Sequence, residues 1–106
     1  MKNISVNELN EQILQKEELI LIDIRERYEW ETDHLPNCAW IRMQELPYRL
    51  NEIPKNKKVI ILCRSGRRSE AVCHYLNTEK AYNNVWNLEG GLLQWKEKIN
   101  PKFDIE

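Results

Sequence analysis

The apolar segment Val59–Leu62 constrains the fold of this chain more than any other feature. It is short and mostly β-branched, which is typical of a strand that is covered on both faces of a sheet. From Ser69 onward the spacing of apolar residues predicts a helix, so residues 63–68 join a buried strand to a helix. This order of strand, loop and helix is typical of α/β domains.

The remaining segments extend the same alternation. A capping box formed by Ser5 and Glu8 predicts the start of a first helix. Further apolar patterns predict strands at residues 19–24, 39–43 and 85–88, and short helices at residues 44–50 and 92–98. Strands that alternate with helices imply an α/β domain with a mainly parallel sheet. A length of 106 residues suits one compact core, so we expect residues 1–106 to form a single domain.

The charge distribution indicates which partners to expect. Residues 1–33 carry nine acidic and four basic side chains, whereas residues 42–68 carry eight basic and two acidic ones. A local positive field attracts small anions. The net charge is only −1 and the basic residues are not interleaved with aromatic ones, so we do not expect a nucleic-acid partner. No apolar run approaches the roughly 20 residues of a membrane helix, and the first residues lack the apolar stretch of a signal peptide. We therefore expect no membrane partner and a cytoplasmic location.

Three cysteines are present, at positions 38, 63 and 73. An odd number in a chain expected to be cytoplasmic argues against a disulfide framework. The cysteines are 25 and 10 residues apart, which fits neither a zinc site nor a C-x-x-C redox motif. We therefore predict no metal and no cofactor, and we expect Cys38 and Cys73 to serve packing.

The segment Cys63–Ser69 has the residue types of an anion-binding loop. The first N–H groups of the following helix have no partner within the helix, and the helix dipole places partial positive charge there. Gly66 allows a backbone with positive φ, and three arginines add charge. Helix N-termini and nearby cations favour the thiolate, which makes Cys63 a candidate nucleophile. The alternative is an inert buried cysteine followed by an ordinary basic turn.

Four motifs, in order and with suitable spacing, resemble those of the rhodanese family. The resemblance covers nearly the whole chain, from about Ile4 to Pro101. The motifs are a strand ending in Asp-x-Arg at residues 21–26, the His-Leu-Pro turn at 34–36, the strand and loop at 58–69, and Gly90-Gly91 followed by Trp95. The resemblance implies a three-layer fold in which a central, mainly parallel sheet has helices on both faces.

The resemblance also implies roles for individual residues. Cys63 matches the cysteine that accepts sulfur, and Ser69 matches the start of the following helix. Residues that match the loop around the transferred sulfur are Arg64, Ser65, Gly66, Arg67 and Arg68. Residues that match positions bracing this loop are Asp23, Arg25 and Glu29. A carboxylate near Arg68 would fix its direction by a charge-assisted hydrogen bond, but the sequence does not say which carboxylate does so.

Some positions depart from the family pattern. Asn37 stands where glycine is frequent, and asparagine tolerates a left-handed backbone better than most residues. Arg42 replaces a frequent proline and would add positive charge near the site. His34 is expected to stabilise a turn rather than to act as a base. These departures bear on substrate preference more than on activity.

The expected function is sulfur transfer through a persulfide on Cys63. The donor would be a small anion such as thiosulfate and the acceptor a thiol or cyanide, with a protein acceptor also open. A second hypothesis is a non-catalytic or partner-specific binding or sulfur-carrier module, since fold does not establish function. A third is a cysteine-dependent phosphatase or arsenate reductase. Cysteine-based phosphatases have Cys-x5-Arg spacing, whereas here Arg68 gives the shorter Cys-x4-Arg spacing.

Overall fold

A parallel sheet of five strands forms the centre of the molecule. The computed structural model describes residues 1–105. The strands are β1 Lys2–Ile4, β2 Leu19–Asp23, β3 Cys38–Trp40, β4 Lys58–Leu62 and β5 Val85–Leu88. They lie in the order β1-β5-β4-β2-β3, and all four neighbouring pairs are parallel. The predicted central strand is thus in the middle of the sheet, and its carboxyl end leads directly into the Cys63 loop.

Four α-helices and two short 3-10 turns connect the strands. The helices are α1 Val6–Leu14, α2 Arg27–Thr32, α3 Arg67–Glu79 and α4 Gly91–Lys98. The 3-10 turns are Leu46–Tyr48 and Leu50–Glu52. Within residues 1–105, no helix is long and apolar enough to cross a membrane.

Two apolar clusters pack on opposite faces of the sheet. Along β4, Val59 and Ile61 belong to one cluster and Ile60 and Leu62 to the other, as the alternation of side chains in a strand requires. Side chains of α3 pack in the first cluster, and side chains of α1 and α4 in the second. The α/β class and the three-layer arrangement expected from the sequence are confirmed.

Helix starts are set by local hydrogen bonds. The capping box at α1 is confirmed: Ser5 Oγ accepts from the Glu8 N–H at 3.1 Å, and Glu8 accepts from the Ser5 N–H at 3.0 Å. At the start of α2, a helix that was not predicted from the sequence, the Glu26 N–H donates to Glu29 Oε1 at 3.0 Å. The apolar pattern missed α2 because this helix buries none of its residues.

Two expectations between residues 39 and 50 were wrong in detail. The strand predicted at 39–43 is Cys38–Trp40, and the helix predicted at 44–50 is replaced by the 3-10 turns. Pro47 stands at the start of the first turn, where its missing N–H is tolerated, but it prevents a continuous helix through the segment. The structure also adds the edge strand β1, which has a single buried residue, Ile4, and so gave no readable pattern.

The segment after α4 returns to the edge of the sheet that carries Cys63. Phe103 is buried, and Lys96 Nζ donates to its carbonyl oxygen at 2.5 Å. The Asp104 N–H donates to Asp33 Oδ2 at 3.0 Å. Residues 103–105, which we call the C-terminal segment, are thereby fixed against the turn between α2 and β3.

Candidate active site

Cys63 follows the last residue of the central strand β4 and is completely buried. The backbone N–H groups of Gly66 and Ser69 donate to Cys63 Sγ at 3.2 and 3.4 Å. Ser69 lies in the first turn of α3, where N–H groups have no partner within the helix and carry partial positive charge. The loop and the helix start therefore stabilise negative charge on the sulfur of Cys63.

Gly66 makes the turn from the loop into α3. Its φ is +91°, which confirms the positive φ predicted at this position. A Cβ here would lie 3.1 Å from the Gly90 nitrogen and 3.2 Å from the Leu88 carbonyl oxygen. A side chain would therefore combine left-handed strain with crowding of the backbone that follows β5.

The start of α4 holds the other side of the loop. The N–H groups of Leu92 and Leu93 donate to the carbonyl oxygens of Cys63 and Arg64 at 2.9 and 3.0 Å. A Cβ on Gly91 would lie 2.6 and 2.5 Å from the same two oxygens. The absence of a side chain at Gly91 thus allows the close approach by which α4 binds the loop carbonyls.

The direction of Arg68 is fixed by Glu29, which settles the choice that the sequence left open. Two guanidinium nitrogens of Arg68 donate to the two carboxylate oxygens of Glu29, each at 2.9 Å. The Glu29 side chain is 10% exposed and that of Arg68 is 35% exposed. Burial alone would raise the pKa of Glu29, but the hydrogen bonds from Arg68 and from the Glu26 backbone outweigh it and lower this pKa.

Because the pKa of Glu29 is lowered in the folded state, the ion pair is expected to stabilise the protein above pH ~4.3 and to lose that effect as the pH falls further. Glu29→Gln should lower the free energy of unfolding by about 1 kcal/mol at pH 7, allowing for solvent screening. At pH ~3 the difference between the two proteins should be smaller than at pH 7. Urea unfolding at both pH values measures this. Glu31→Gln, which breaks an exposed pair with Arg27, is the control and should change little. An equal loss at both pH values would contradict the assignment.

Asp23 and Arg25 form a buried pair at the end of β2. Arg25 Nε lies 3.0 Å from both carboxylate oxygens of Asp23, and both residues are at most 1% exposed. The Arg25 guanidinium also donates to the Asp33 carbonyl oxygen at 2.7 Å. The pair therefore contacts the turn after α2, whereas Glu29 alone of the three predicted bracing residues bonds to an arginine of the loop.

The basic residues near the loop differ in their partners. Within residues 1–105, Arg64 and Arg67 form no ion pair, and Arg67 is exposed. Arg42 is bound to Glu45 at 3.2 Å, so the charge that it was expected to add is largely neutralised. Of the three loop arginines, Arg64 and Arg67 are thus the ones without an ion pair in the part of the chain that the structure describes, whereas Arg68 is bound to Glu29.

Comparison with known proteins decides the family. The model of the rhodanese-like domain matches residues 5–98. This chain belongs to the rhodanese-like domain family. It is 40% identical over 102 residues to "Putative sulfurtransferase YtwF" of Bacillus subtilis, which covers 96% of this chain and 97% of that protein. It is 36% identical over 95 residues to "Sulfurtransferase" of Allochromatium vinosum, covering 90% of this chain and 88% of that protein.

Solved structures agree with the sequence match. A rhodanese-like domain protein from Staphylococcus aureus superimposes with a TM-score of 0.85 and 31% identity, over 100% of this chain and 99% of that one. The shared fold thus accounts for the sheet order. The relatives named above are sulfurtransferases by name.

In this rhodanese-like domain a chain of hydrogen bonds runs from the buried Cys63 to the exposed Asn3, and it was not predicted from the sequence. Cys63 Sγ lies 3.4 Å from Ser69 Oγ, which donates to Asn87 Oδ1 at 2.5 Å. Asn87 Nδ2 in turn donates to Asn3 Oδ1 at 3.1 Å. The signal in the sequence was an asparagine inside the otherwise apolar strand β5, because a buried amide requires polar partners.

This rhodanese-like domain should show strong energetic coupling between Ser69 and Asn87. Removing either side chain breaks the hydrogen bond between these two buried residues, so Ser69→Ala and Asn87→Ala should each cost about 1–3 kcal/mol of unfolding free energy. The double variant should cost less than the sum, by roughly 0.5–3 kcal/mol. Urea unfolding of the four proteins measures the difference.

Ser69→Ala combined with Asn84→Ala is the control, since Asn84 bonds to Pro54 and Lys57 instead, and should be additive. Additivity for Ser69 and Asn87 would contradict the coupling.

The other thiols and His34 have surroundings typical of structural residues. Burial raises the pKa of Cys73 to about 12 and that of Cys38 further still, so both stay protonated at neutral pH. The His34 ring stacks on Trp30 with 3.7 Å between centroids, and its Nδ1 lies 2.8 Å from the Trp30 carbonyl oxygen. Among residues 1–105, no group of three or more His, Cys, Asp or Glu side chains is arranged to hold a metal ion.

Proposed function

We propose that this rhodanese-like domain is a sulfurtransferase that carries a sulfane sulfur as a persulfide on Cys63. The observation that supports this most is the pair of backbone N–H groups, of Gly66 and Ser69, directed at Cys63 Sγ. Hydrogen bonds to the charged form stabilise a thiolate, and the thiolate is the nucleophile in exchange at sulfur. The proposed donor is a small anion such as thiosulfate, and the acceptor is a thiol or cyanide.

The first step would be attack of the Cys63 thiolate on the outer sulfur of thiosulfate. The new S–S bond forms on Cys63 as the old one breaks, and sulfite leaves with the bonding electron pair. The persulfide anion formed has the same charge as the thiolate consumed. Arg64 and Arg67, free of ion pairs within residues 1–105, would attract the dianionic donor.

In the second step the acceptor would attack the outer sulfur of the persulfide and release the Cys63 thiolate. The other loop residues would hold the loop in shape for both steps. Ser65 Oγ accepts from the Arg67 N–H at 3.4 Å, and Arg68 is bound to Glu29. Both steps are exchange at sulfur and need no metal or organic cofactor.

The phosphatase alternative is disfavoured by the size of the loop. Four residues separate Arg68 from Cys63. Cys63 is completely buried, and its Sγ already accepts hydrogen bonds from the backbone amides of Gly66 and Ser69. Such a cradle suits a single sulfur atom better than a tetrahedral phosphoryl group. A non-catalytic binding module is disfavoured by the presence of the nucleophile itself, though a protein acceptor would fit the same chemistry.

Intact mass spectrometry before and after incubation with thiosulfate tests the proposal. We expect a gain of about 32 Da, the mass of one sulfur atom, followed by its loss and the release of thiocyanate when cyanide is added. No gain from thiosulfate, mercaptopyruvate or a persulfide donor would overturn it. Phosphate and arsenate esters, assayed in parallel, should show no turnover.

A further inference from the structure

A cavity of about 340 Å³ lies beside the Cys63 loop, and we call it the tail pocket. Its lining includes Tyr28 and Glu29 of α2, Arg64 of the loop, and Asp104 and Ile105 of the C-terminal segment. Asp104 is fixed there by the hydrogen bond from its backbone to Asp33, described above. Asp104 and Ile105 lie beyond the part of the chain that the family model matches. A pocket of this size is at the small end for a ligand site.

The charges that face the tail pocket are of two kinds. Arg25 and Glu29 are already bound, to Asp23 and to Arg68. Within residues 1–105, Arg64 and Asp104 form no ion pair, although both line the cavity. Among the described residues, the pocket therefore presents one positive and one negative group that have no ion-pair partner and do not pair with each other.

The tail pocket also has an aromatic wall, formed by Tyr28. Tyr28 is 72% exposed, which is unusual for an aromatic residue, and it lines the same pocket as Arg64, the residue that directly follows Cys63. Because Arg64 lines the tail pocket and directly follows Cys63, a molecule in the pocket lies beside the loop that carries the proposed persulfide.

We propose that the tail pocket binds the sulfur acceptor, and that this acceptor is a small thiol bearing both a carboxylate and an ammonium group. Arg64 would bind the carboxylate and Asp104 the ammonium, with the carbon chain against Tyr28. The inference rests on the proposed function. The acceptor thiol loses its proton to solvent, and its sulfur attacks the outer persulfide sulfur. That bond forms as the S–S bond to Cys63 breaks, leaving the Cys63 thiolate and a persulfide of the small thiol. Donor and acceptor occupy the site in turn, so Arg64 serves both.

Four thiols separate the contributions of the two charges: cysteine carries both groups, 3-mercaptopropionate only the carboxylate, cysteamine only the ammonium, and 2-mercaptoethanol neither. The protein is first loaded with thiosulfate or, failing that, with a polysulfide. The rate of persulfide loss below saturation is followed by intact mass. For each variant, the rate with each thiol is divided by the rate with 2-mercaptoethanol to give a relative rate. Each relative rate is then compared with that of the wild type, which cancels the intrinsic reactivity of the thiol.

We expect Arg64→Gln to lower the relative rate ~10-fold for cysteine and 3-mercaptopropionate but not for cysteamine. Asp104→Asn should lower it similarly for cysteine and cysteamine but not for 3-mercaptopropionate. Glu97→Gln removes an exposed carboxylate of α4 outside the pocket and should leave all ratios unchanged. Ratios that stay equal in all variants, or that fall alike for every thiol, would overturn this inference. A failure of every donor to load the protein would instead overturn the proposed function.

Discussion

A Cys63→Ser variant is expected to take up no sulfur at all. Serine nearly preserves the size of the side chain, and its oxygen can still accept from the N–H groups of Gly66 and Ser69. An alcohol oxygen, however, is not ionised at neutral pH and cannot form a persulfide. Intact mass after thiosulfate should therefore show no gain, and thiocyanate release should fall to the background rate. The free energy of unfolding should change far less than the activity does.

The other two cysteines provide matched controls for this prediction. Cys38→Ser and Cys73→Ala should both retain the mass gain, because their protonated thiols pack in the apolar clusters and take no part in the exchange. Alanine is the better replacement for Cys73, which is completely buried and would leave a serine hydroxyl without a partner. A mass gain that persists in Cys63→Ser would show that another residue takes up the sulfur and would contradict the proposed mechanism.

Among substitutions that add one methyl group near the active site, Gly91→Ala is expected to lower the stability of the protein most. The new Cβ would have a left-handed backbone, with φ at +59°, and would lie 2.5 Å from the Arg64 carbonyl oxygen. Left-handed strain costs about 1–2 kcal/mol and overpacking about 1–3 kcal/mol more. Together they should lower Tm by roughly 10 °C or more, and the loss of the α4 contacts should abolish sulfur uptake. Thermal unfolding and intact mass measure the two effects.

Gly90→Ala is the matched control for Gly91→Ala. Its φ is +79°, so the left-handed strain is similar, but the new methyl group would meet the side chain of Gln94 rather than the active-site loop. A glutamine side chain can move aside where a backbone carbonyl cannot, so Gly90→Ala should shift Tm less and retain more activity. Equal effects of the two variants would contradict the close approach of α4 to the loop as the cause.

The sequence was sufficient to predict those elements that carry a clear local signal of their own. The central strand β4 and the helix α1 are of this kind, because each has either a continuous apolar run or a complete capping box. The cysteine at the strand end and the glycine with positive φ followed from the same reasoning. The start of α3 was placed two residues late, because Arg67 and Arg68 are polar and give no apolar signal.

Contacts between distant segments could not be predicted in this way. Arg68 had several candidate carboxylates, and only the fold places α2, which carries Glu29, against the loop. The backbone amides of α4 reach the loop carbonyls because of the order of the strands in the sheet. The spacing of apolar residues along the sequence does not reveal that order. The position of the C-terminal segment beside Arg64 likewise depends on a hydrogen bond between residues 104 and 33. Each of these contacts thus joins residues that only the fold brings together.

The complete burial of Cys63 has a kinetic consequence for a sulfurtransferase. A donor must bring its sulfur into bonding contact with Sγ, so the groups that cover Cys63 have to separate before any bond can form. That separation is a unimolecular step that precedes the chemistry, and such steps set the turnover of many enzymes. At high donor concentration, the rate of sulfur uptake should therefore reach a plateau that has the same height for reactive and sluggish donors alike.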